Sequence, residues 1–499
     1  MSSALEQTRL SVSRATAAKR KSQLGQFLTP ARTARFMAGL FRPTGTGACR
    51  LLDPGASIGS LSCAFLDRCH PHDLCFSAVE VTAFELDGIL HEELNRSLAR
   101  SSAAPLSWDI LGGDFIAQAV DRIQFGAPAF THAILNPPYK KIASASRDRR
   151  LLRQVGIETV NLYSAFVALT LALLAPGGQL VAIIPRSFCN GPYYRPFRDF
   201  ILERAALRHL HLFDSRTQAF KDDAVLQENV IIVLERGARQ GPVTVSLSTD
   251  DSFSDMVSHS HPFERILLPD DPQRFIHVPT TTGHNAIELS TAVRYSLADL
   301  GIGVSTGPVV DFRLKAHLRY LPGPGTVPLL YPAHFREPRT EWPKPDLKKP
   351  NAIERNAETE KWLYPNGCYC VVRRFSAKEE KRRIIAGVVR SGAFSGVKAL
   401  GFENHLNVFH ERKQGLPEAL ALGLAVFLST TAVDENFRRF NGHTQVNATD
   451  LKLMKYPSRE DLMVLGDWAL RIAGELTQRM IDQRFQALGG KHLCGQGAG

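Results

Sequence analysis

The chain lacks the marks of several protein classes. Only eight cysteines occur in 499 residues, and their irregular spacing suits neither a disulfide framework nor the paired gaps of a zinc site. The N-terminal residues carry no apolar stretch typical of a secretory signal, and the strongly apolar run at residues 165–175 is too short to span a bilayer. We therefore expect a cytoplasmic protein with no resident metal and no membrane partner.

Acidic residues are outnumbered, with 49 Asp and Glu against 60 Lys and Arg and a formal net charge of +11. Basic charge favours a polyanionic partner because it releases counterions from phosphates, although it also occurs without such a role. The hydrophobic share of 44% and the charged share of 22% are typical of globular proteins. The length suggests about two to four domains.

A short apolar run at residues 133–135 ends in Asn136-Pro137-Pro138-Tyr139. The run predicts a buried parallel strand, and the two prolines exclude both helix and ladder directly after it. Asn136 is therefore expected at the carboxyl edge of the sheet, where open α/β sheets bind ligands. The alternative is a strand that simply stops at an Asn-Pro turn.

Residues 50–61 predict a strand, a tight turn and the start of a helix. Gly55 and Gly59 would let the backbone approach a ligand that a Cβ would exclude, and Asp53 before them can receive an amino group. The glycine spacing differs from that of a dinucleotide-binding loop. The pattern favours a ligand that carries a cationic amino-acid group.

Two further acidic residues follow predicted strands. Glu85 is the expected ligand of ribose hydroxyls, with Asp87 as a weaker candidate. Asp114 can accept a hydrogen bond from an adenine amino group, and Phe115 can stack on or pack beside that ring. Each acid alone is more often a strand-end cap, but three at successive strand ends ahead of Asn136 favour a nucleoside-bearing ligand.

Strand, turn and helix alternate from Arg50 to about Glu235, which predicts a parallel doubly wound sheet. From about Arg236 to His284 the composition shifts to Ser, Thr, Asp and Pro, and a domain boundary is expected there. The second half mixes short strands with clustered basic residues and a polar loop at 440–450. Such side chains can read base edges, although the half could equally dock a protein.

In this order the pieces resemble the gamma-class DNA adenine-N6 methyltransferases of type II restriction-modification systems. Residues 227–229 and 441–451 resemble the PstI- and BsuBI-like members in particular. The resemblance implies an α/β fold, with a Rossmann-like methyltransferase sheet and a second, mixed α+β target-recognition domain. It also implies S-adenosyl-L-methionine as cofactor, double-stranded DNA as substrate and a separate restriction endonuclease as functional partner.

The resemblance also assigns residues and domains. Thr29, which precedes Pro30 and is expected to cap a helix, would contact the methionine end of the cofactor. The second base-stacking aromatic falls on Tyr194, with Tyr193 and Phe188 as less favoured substitutes. The catalytic set is Asn136, Pro137, Pro138, Tyr139 and Tyr194, and the cofactor set is Thr29, Asp53, Gly55, Gly59, Glu85, Asp114 and Phe115. The expected layout is an N-terminal arm at 1–22, a catalytic domain at 23–240, a linker at 241–290 and a recognition domain at 291–499.

Chemistry supports these assignments independently. The adenine amino nitrogen is a poor nucleophile because its lone pair is delocalised into the ring. The Asn136 side-chain oxygen and the Pro137 carbonyl can accept its two N–H groups and draw them out of the ring plane. The base must leave the duplex stack, and Tyr139 and Tyr194 could recover part of that cost by stacking, worth ~1–3 kcal/mol per base.

Two other functions remain open. A protein-glutamine methyltransferase shares the Asn-Pro-Pro-Tyr turn, although the Thr29-Pro30 segment and the basic second half speak against it. A catalytically inactive DNA-binding protein would keep the cofactor fold without using it. The protein is expected to be a monomer or a weak dimer.

Overall fold

The structure is a computed structural model. It describes residues 6, 7, 9, 28–44, 47–70, 72–101, 105–126, 129–213, 228–269, 271–336, 339–376, 380–394, 396–441, 444–472 and 475–491. Most of the expected arm at 1–22, and Gln227 of the segment 227–229, lie outside these ranges. The chain divides into two compact units, Met1–Thr282 and Gly283–Gly499. No helix in the described ranges combines the length and apolar character needed to cross a membrane.

The first unit is built on one large sheet flanked by helices. Its strands are β1 Cys49–Pro54, β2 Val79–Phe84, β3 Leu106–Leu111, β4 Phe130–Leu135, β5 Leu174–Pro185, β6 Ala205–Phe213, β7 Asn229–Arg236, β8 Val243–Ser248 and β9 Val257–His261. Its helices are α1 Ala31–Gly39, α2 Ser60–Leu66, α3 His91–Ala99, α4 Phe115–Gln124, α5 Arg147–Gln154, α6 Leu162–Leu173 and α7 Arg195–Arg204. The nine strands are ordered β3-β2-β1-β4-β5-β7-β6-β8-β9.

The predicted doubly wound architecture is confirmed for the first five strands. β1 to β5 run parallel to their neighbours, which requires crossover connections, and the helices α2 to α6 supply them. β7 is the exception, because it runs antiparallel to both β5 and β6. The antiparallel β6–β7 pair lies at the end of the alternating region that the sequence predicts from Arg50 to about Glu235.

The central strands are buried on both faces. In β5, Leu180, Ala182 and Ile184 pack in one core with residues of α4, α6 and α7. The alternate residues Val181 and Ile183 pack in a second core with residues of α1 and α2. This double burial explains why the strands appear in the sequence as continuous apolar runs rather than as alternating patterns.

The segment 241–290 differs from the linker that its composition predicts. β8 pairs in parallel with β6, and β9 pairs antiparallel with β8, so both strands extend the large sheet of the first unit. The first unit accordingly ends at Thr282 rather than at residue 240. Serine and threonine side chains are compatible with an edge region of a sheet because the exposed face of such strands needs no apolar residues.

The second unit is mixed α+β, as expected. Its strands are β10 Gly303–Thr306, β11 Leu318–Arg319, β12 Thr326–Leu330, β13 Phe335–Arg336, β14 Arg339–Thr340, β15 Ala352–Glu354, β16 Leu363–Pro365, β17 Tyr369–Arg373, β18 Ala386–Val389, β19 Ala399–Phe402 and β20 Leu406–His410. Its helices are α8 Ala286–Leu289, α9 Glu418–Leu428, α10 Thr431–Phe440, α11 Ala448–Leu453, α12 Arg459–Leu470 and α13 Gln478–Lys491. The strands form sheets ordered β10-β20-β17-β18, β11-β15-β12-β19-β16 and β13-β14.

Helices α9 and α12 lie close enough for backbone contact. A Cβ on Gly423 would stand 1.8 Å from the carbonyl oxygen of Leu462, and a Cβ on Gly466 would stand 1.7 Å from that of Ala419. No side chain fits at either position, so the two glycines set the spacing of the helix pair.

The polar loop at 440–450 is largely occupied by its own hydrogen bonds. Asn441 is buried; its oxygen accepts from the Arg383 guanidinium at 2.8 Å, and its amide donates to Asp450 at 3.1 Å. Asp450 also closes a capping box with Asn447 at the start of α11. Asn441, Asp450 and Arg383 therefore hold the loop together and are not available to read bases.

Candidate functional site

The carboxyl edge of the first sheet gathers the predicted polar residues. Asp53 lies at the end of β1, Glu85 follows β2, Asp114 follows β3 and Asn136 follows β4. Because these strands are parallel and ordered β3-β2-β1-β4, their ends meet at one edge. Three carboxylates and then an amide thus succeed one another across it.

The loop between β1 and α2 brings backbone close to this edge. Gly55 and Gly59 have φ values of +88° and +83°, the left-handed region that favours glycine. A Cβ on Gly59 would stand 2.9 Å from Leu94, so packing as well as conformation requires glycine there. A Cβ on Gly55 would meet nothing within 4 Å, so space remains beside that position.

Asp53 is buried and only partly satisfied. Its Oδ2 accepts a hydrogen bond of 2.6 Å from the Ser62 hydroxyl. Its Oδ1 has no hydrogen-bond partner among the described residues. Burial raises the pKa of Asp53 to about 7, hydrogen bonds from Ser62 oppose the rise, and the Glu85 charge adds to it. A donor or cation placed at Oδ1 would favour the ionised carboxylate.

Glu85 is held by the backbone around it. Its Oε2 accepts from the Ser57 N–H at 2.8 Å, and its Oε1 accepts from the Asp87 N–H at 2.7 Å. Burial raises the pKa of Glu85 above its ordinary value. Asp87, the weaker candidate, is a half-buried cap whose carboxylate accepts from the Ile89 N–H at 3.2 Å.

Asp114 and Phe115 stand at the start of α4 with different environments. Asp114 caps the helix by accepting from the Ile116 N–H at 3.0 Å, remains half-buried, and has Arg147 at 3.7 Å. Phe115 is 4% exposed, and its ring packs edge-on against Phe84 at 5.0 Å. Phe115 is therefore part of the core beside β2, and its predicted contact with an adenine ring stays a prediction.

The Asn136 amide is oriented by contacts at both ends. Its Nδ2 donates to the Thr29 hydroxyl at 3.0 Å. The Tyr139 hydroxyl lies 3.1 Å from Asn136 Oδ1 and 3.2 Å from the Ile183 carbonyl oxygen, so it shares its proton between them. Burial raises the pKa of Tyr139 above its ordinary value, which keeps the phenol neutral. These contacts fix the orientation of the Asn136 amide, with its oxygen toward Tyr139 and its nitrogen toward Thr29.

Thr29 does not cap a helix as its position predicts. α1 begins at Ala31 with Pro30 before it and no capping side chain from either residue. The Glu6 carboxylate instead accepts from the Ala31 N–H at 3.1 Å. Because Glu6 takes the capping role, the Thr29 hydroxyl is left to orient Asn136. This contact places Thr29 in the candidate site by a route that differs from the predicted one.

Three tyrosines form a series of ring contacts that begins at Tyr139, whose hydroxyl contacts Asn136. The buried Tyr163 lies edge-on to Tyr139 at 6.2 Å between ring centroids and tilted by 32° to Tyr194 at 5.8 Å. Asn161 donates to the Tyr194 hydroxyl at 2.5 Å, which ties that ring to the start of α6. Phe188 is buried in the core, whereas Tyr193 is exposed.

Sequence reasoning missed Asn161 and Tyr163. They open the apolar stretch that forms α6, and only the polar atoms of this pair could have drawn attention to them. Part of the basic segment after Tyr139 is helical. Residues 147–154 form α5, and Arg149 and Arg153 pair with Glu158. Those two arginines therefore serve local structure.

Comparison with known proteins gives a consistent result. A protein-family model described as Eco57I restriction-modification methylase matches residues 91–220. The chain is 51% identical to the type II methyltransferase M.BsuBI of Bacillus subtilis, over 94% of this chain and 95% of that protein. It is 41% identical to the type II methyltransferase M.PstI of Providencia stuartii, over 93% and 92% of the two chains.

Two solved structures share the fold. A DrdV–DNA complex superposes with a TM-score of 0.52 at 12% identity, covering 94% of this chain and 60% of that one. The restriction-modification enzyme MmeI in complex with DNA superposes with a TM-score of 0.50 at 9% identity, covering 98% of this chain and 74% of that one. At these identities the likeness concerns architecture alone.

Proposed function

Because this chain belongs to the type II methyltransferases of restriction-modification systems, we propose that it methylates N6 of an adenine extruded from double-stranded DNA. Methylation at one short recognition sequence would protect host DNA from a separate restriction endonuclease. The methyl donor is S-adenosyl-L-methionine, the cofactor of such methyltransferases.

One observation carries the choice of an exocyclic amine as acceptor. The Asn136 amide stands at the carboxyl end of β4 with its nitrogen committed to Thr29 and its oxygen turned toward Tyr139. An oxygen held in this way can accept an N–H group but cannot act as a base. That arrangement suits a substrate nitrogen that must be reoriented rather than deprotonated.

The residues present fit the cofactor. Beside the open space at Gly55, the Asp53 carboxylate has an unpaired oxygen that could receive an ammonium group. The hydroxyls of Ser57 and Ser60 are also buried without a partner among the described residues. Glu85 would accept the ribose hydroxyls, and Asp114 would accept the adenine amino group. Bound there, S-adenosylmethionine supplies an electrophilic methyl group.

The chain's own residues would prepare the acceptor nitrogen. Asn136 Oδ1 and the Pro137 carbonyl would accept the two N6–H bonds and direct the nitrogen lone pair out of the ring plane. The neutral Tyr139 phenol would continue to donate to Asn136 Oδ1 and hold the amide in place. Pro137 and Pro138 carry no N–H, so neither offers a backbone donor that would compete for the Asn136 oxygen.

An extruded base needs faces to stack on. Tyr139 and Tyr194 are proposed to sandwich it, with stacking worth ~1–3 kcal/mol per base. Tyr163 touches both rings and would fix their spacing. Tyr193, which is exposed, is the alternative stacking residue.

The second unit is proposed to read the recognition sequence. Arg383, Asn441 and Asp450 are buried and hold the loop together, so they cannot contact bases. The residues that recognise the base sequence must therefore be side chains that stay at the surface. Gln445 is half-buried and accepts from Arg374 at 3.3 Å, which leaves its amide nitrogen for a base edge.

Labelled cofactor and a library of duplexes test the proposal. The wild-type protein should place label in N6-methyladenine at one short sequence. Asn136→Ala should lower the rate by about 10²- to 10³-fold, the loss typical of removing one preorganised polar contact. Asn95→Ala, an exposed asparagine of the same unit, is the matched control and should be fully active. Label in protein glutamine would instead support a protein methyltransferase. If the wild type transfers no methyl group and Asn136→Ala binds DNA as well as the wild type does, the protein is an inactive DNA-binding protein.

A further inference from the structure

Asn229 opens β7 with a buried amide that the proposed mechanism does not use. The residue is 4% exposed, and neither its Oδ1 nor its Nδ2 has a hydrogen-bond partner among the described residues. Burying an amide without partners is unfavourable, and such groups in folded proteins call for an explanation. A ligand that enters the site would supply one.

The backbone around Asn229 is firmly held. Asn229 pairs with Pro185 in the antiparallel ladder of β5 and β7. The preceding Glu228 accepts a backbone hydrogen bond of 2.7 Å from Arg186, and the side chains of this pair form a buried ion pair of 2.6 Å. The amide is therefore presented from a rigid strand end, as a preorganised binding group should be.

Strand alternation places the Asn229 side chain on the same face as the Asn136 contact. Ile231 and Val233 of β7 pack in the core that contains α1 residues, and Asn229 shares their parity. Thr29, two residues before the start of α1, binds Asn136. Asn229 and Asn136 thus lie on one face at the same edge of the sheet, at the ends of β7 and β4, with β5 between them.

The order of the strands indicates whether Asn229 borders the methyl donor or the methyl acceptor. The cofactor groups follow β3, β2 and β1, on one side of β4. β5 and β7 lie on the other side, so Asn229 is separated from the cofactor acids by the Asn136 turn. A group placed there borders the methyl acceptor rather than the donor.

We propose that Asn229 is a substrate-binding residue whose Nδ2 donates a hydrogen bond to a ring nitrogen, N1 or N7, of the extruded adenine. This inference rests on the proposed function. Asn136 and Pro137 already accept both N6–H bonds, so the acceptors left on the ring are its nitrogens, and an asparagine amide suits an adenine edge. A water that enters with the nucleotide can satisfy Oδ1.

Asn229→Leu separates this role from a structural one, because leucine has nearly the same size and needs no hydrogen bonds. Its melting temperature should rise, since an unpaired buried amide is removed, while kcat/KM for duplex DNA should fall about tenfold with donor affinity unchanged. Thr170→Val is the matched control, because the Thr170 hydroxyl is buried without a partner among the described residues and lies in α6. It should gain stability and keep full activity.

Duplexes carrying 7-deazaadenine or 1-deazaadenine at the target identify the contacted nitrogen. One analogue should cost the wild-type enzyme about tenfold in kcat/KM and should cost Asn229→Leu nothing further, since the hydrogen bond is already absent. Asn229→Ala should behave in the same way and serves if the leucine variant does not fold. The proposal is overturned if the Asn229 variants keep full activity. It is also overturned if both analogues lower kcat/KM of the variants by the same factor as that of the wild type, or if the variants bind the methyl donor more weakly. Failure of the proposed function would look different, because the wild type would then methylate no duplex adenine at all.

Discussion

Asp53→Asn should make the ligand-free protein more stable while weakening cofactor binding. The pKa of Asp53 is raised from 3.8 to about 7, chiefly by burial. A carboxyl whose pKa is higher in the folded state stabilises that state only while it is protonated. Its contribution is therefore complete below about pH 4 and is lost as the pH rises through 7.

The magnitude follows from the same values. Each pKa unit corresponds to about 1.4 kcal/mol, so the rise from 3.8 to about 7 corresponds to about 4 kcal/mol lost by pH 8. Asparagine removes the titration and can still accept the Ser62 hydrogen bond through its oxygen. The variant should match the wild type near pH 4 and exceed its free energy of unfolding by about 4 kcal/mol at pH 8.

Urea denaturation at pH 4, 6 and 8 measures this difference. Trp108 is the single tryptophan of the first unit, so its fluorescence reports that unit when Trp342, Trp362 and Trp468 are replaced by phenylalanine. Asp73→Asn is the matched control with the opposite sign, because Arg68 lowers the pKa of Asp73 below 3.8, so its carboxylate already stabilises the fold above about pH 4 and the variant should be less stable than the wild type by the same amount at pH 6 and 8. A stability difference for Asp53→Asn that does not change with pH would refute the reasoning.

Three other substitutions test the packing around the site and in the second unit. Tyr163→Leu should raise KM for duplex DNA about tenfold, because the rings of Tyr139 and Tyr194 lose their contact with Tyr163, whereas Tyr163→Phe should leave KM unchanged. Steady-state kinetics, together with 2-aminopurine fluorescence of the extruded base, measure the difference. Gly423→Ala should destabilise the second unit by about 1–3 kcal/mol or more in urea, because its Cβ would stand 1.8 Å from a backbone oxygen, and unchanged stability would contradict the close helix pair. Gly59→Ala should lower cofactor affinity in calorimetry, since a φ of +83° and a Cβ contact of 2.9 Å both oppose alanine; unaltered affinity would mean that the loop is not a cofactor site.

Local sequence was sufficient for the fold and for the order of polar residues at the sheet edge. Apolar runs separated by glycine and proline turns define where strands end, and parallel strands bring their carboxyl ends together. For this reason Asp53, Glu85, Asp114 and Asn136 could be expected side by side before any coordinates were known.

Local sequence was insufficient where a partner comes from far along the chain. The predicted cap at Thr29 is absent because Glu6 accepts from the N–H of Ala31 at the start of α1, and composition alone did not reveal that β8 and β9, within the expected linker, continue the sheet. The polar loop at 440–450 looked like a base reader because its burial cannot be seen in its residues. Roles of this kind depend on what surrounds a side chain.

The amino-acid sequence by itself determined the alternation of strands and helices and the chemistry available at each strand end, because both depend on residues that are neighbours in the chain. Only the tertiary structure decided which polar atoms find partners. Thr29 reaches Asn136 across 107 positions, and Asn229 finds none within the described residues. Hydrogen-bond satisfaction depends on three-dimensional proximity, and that is why the residues best placed to act on a substrate emerged only from the folded chain.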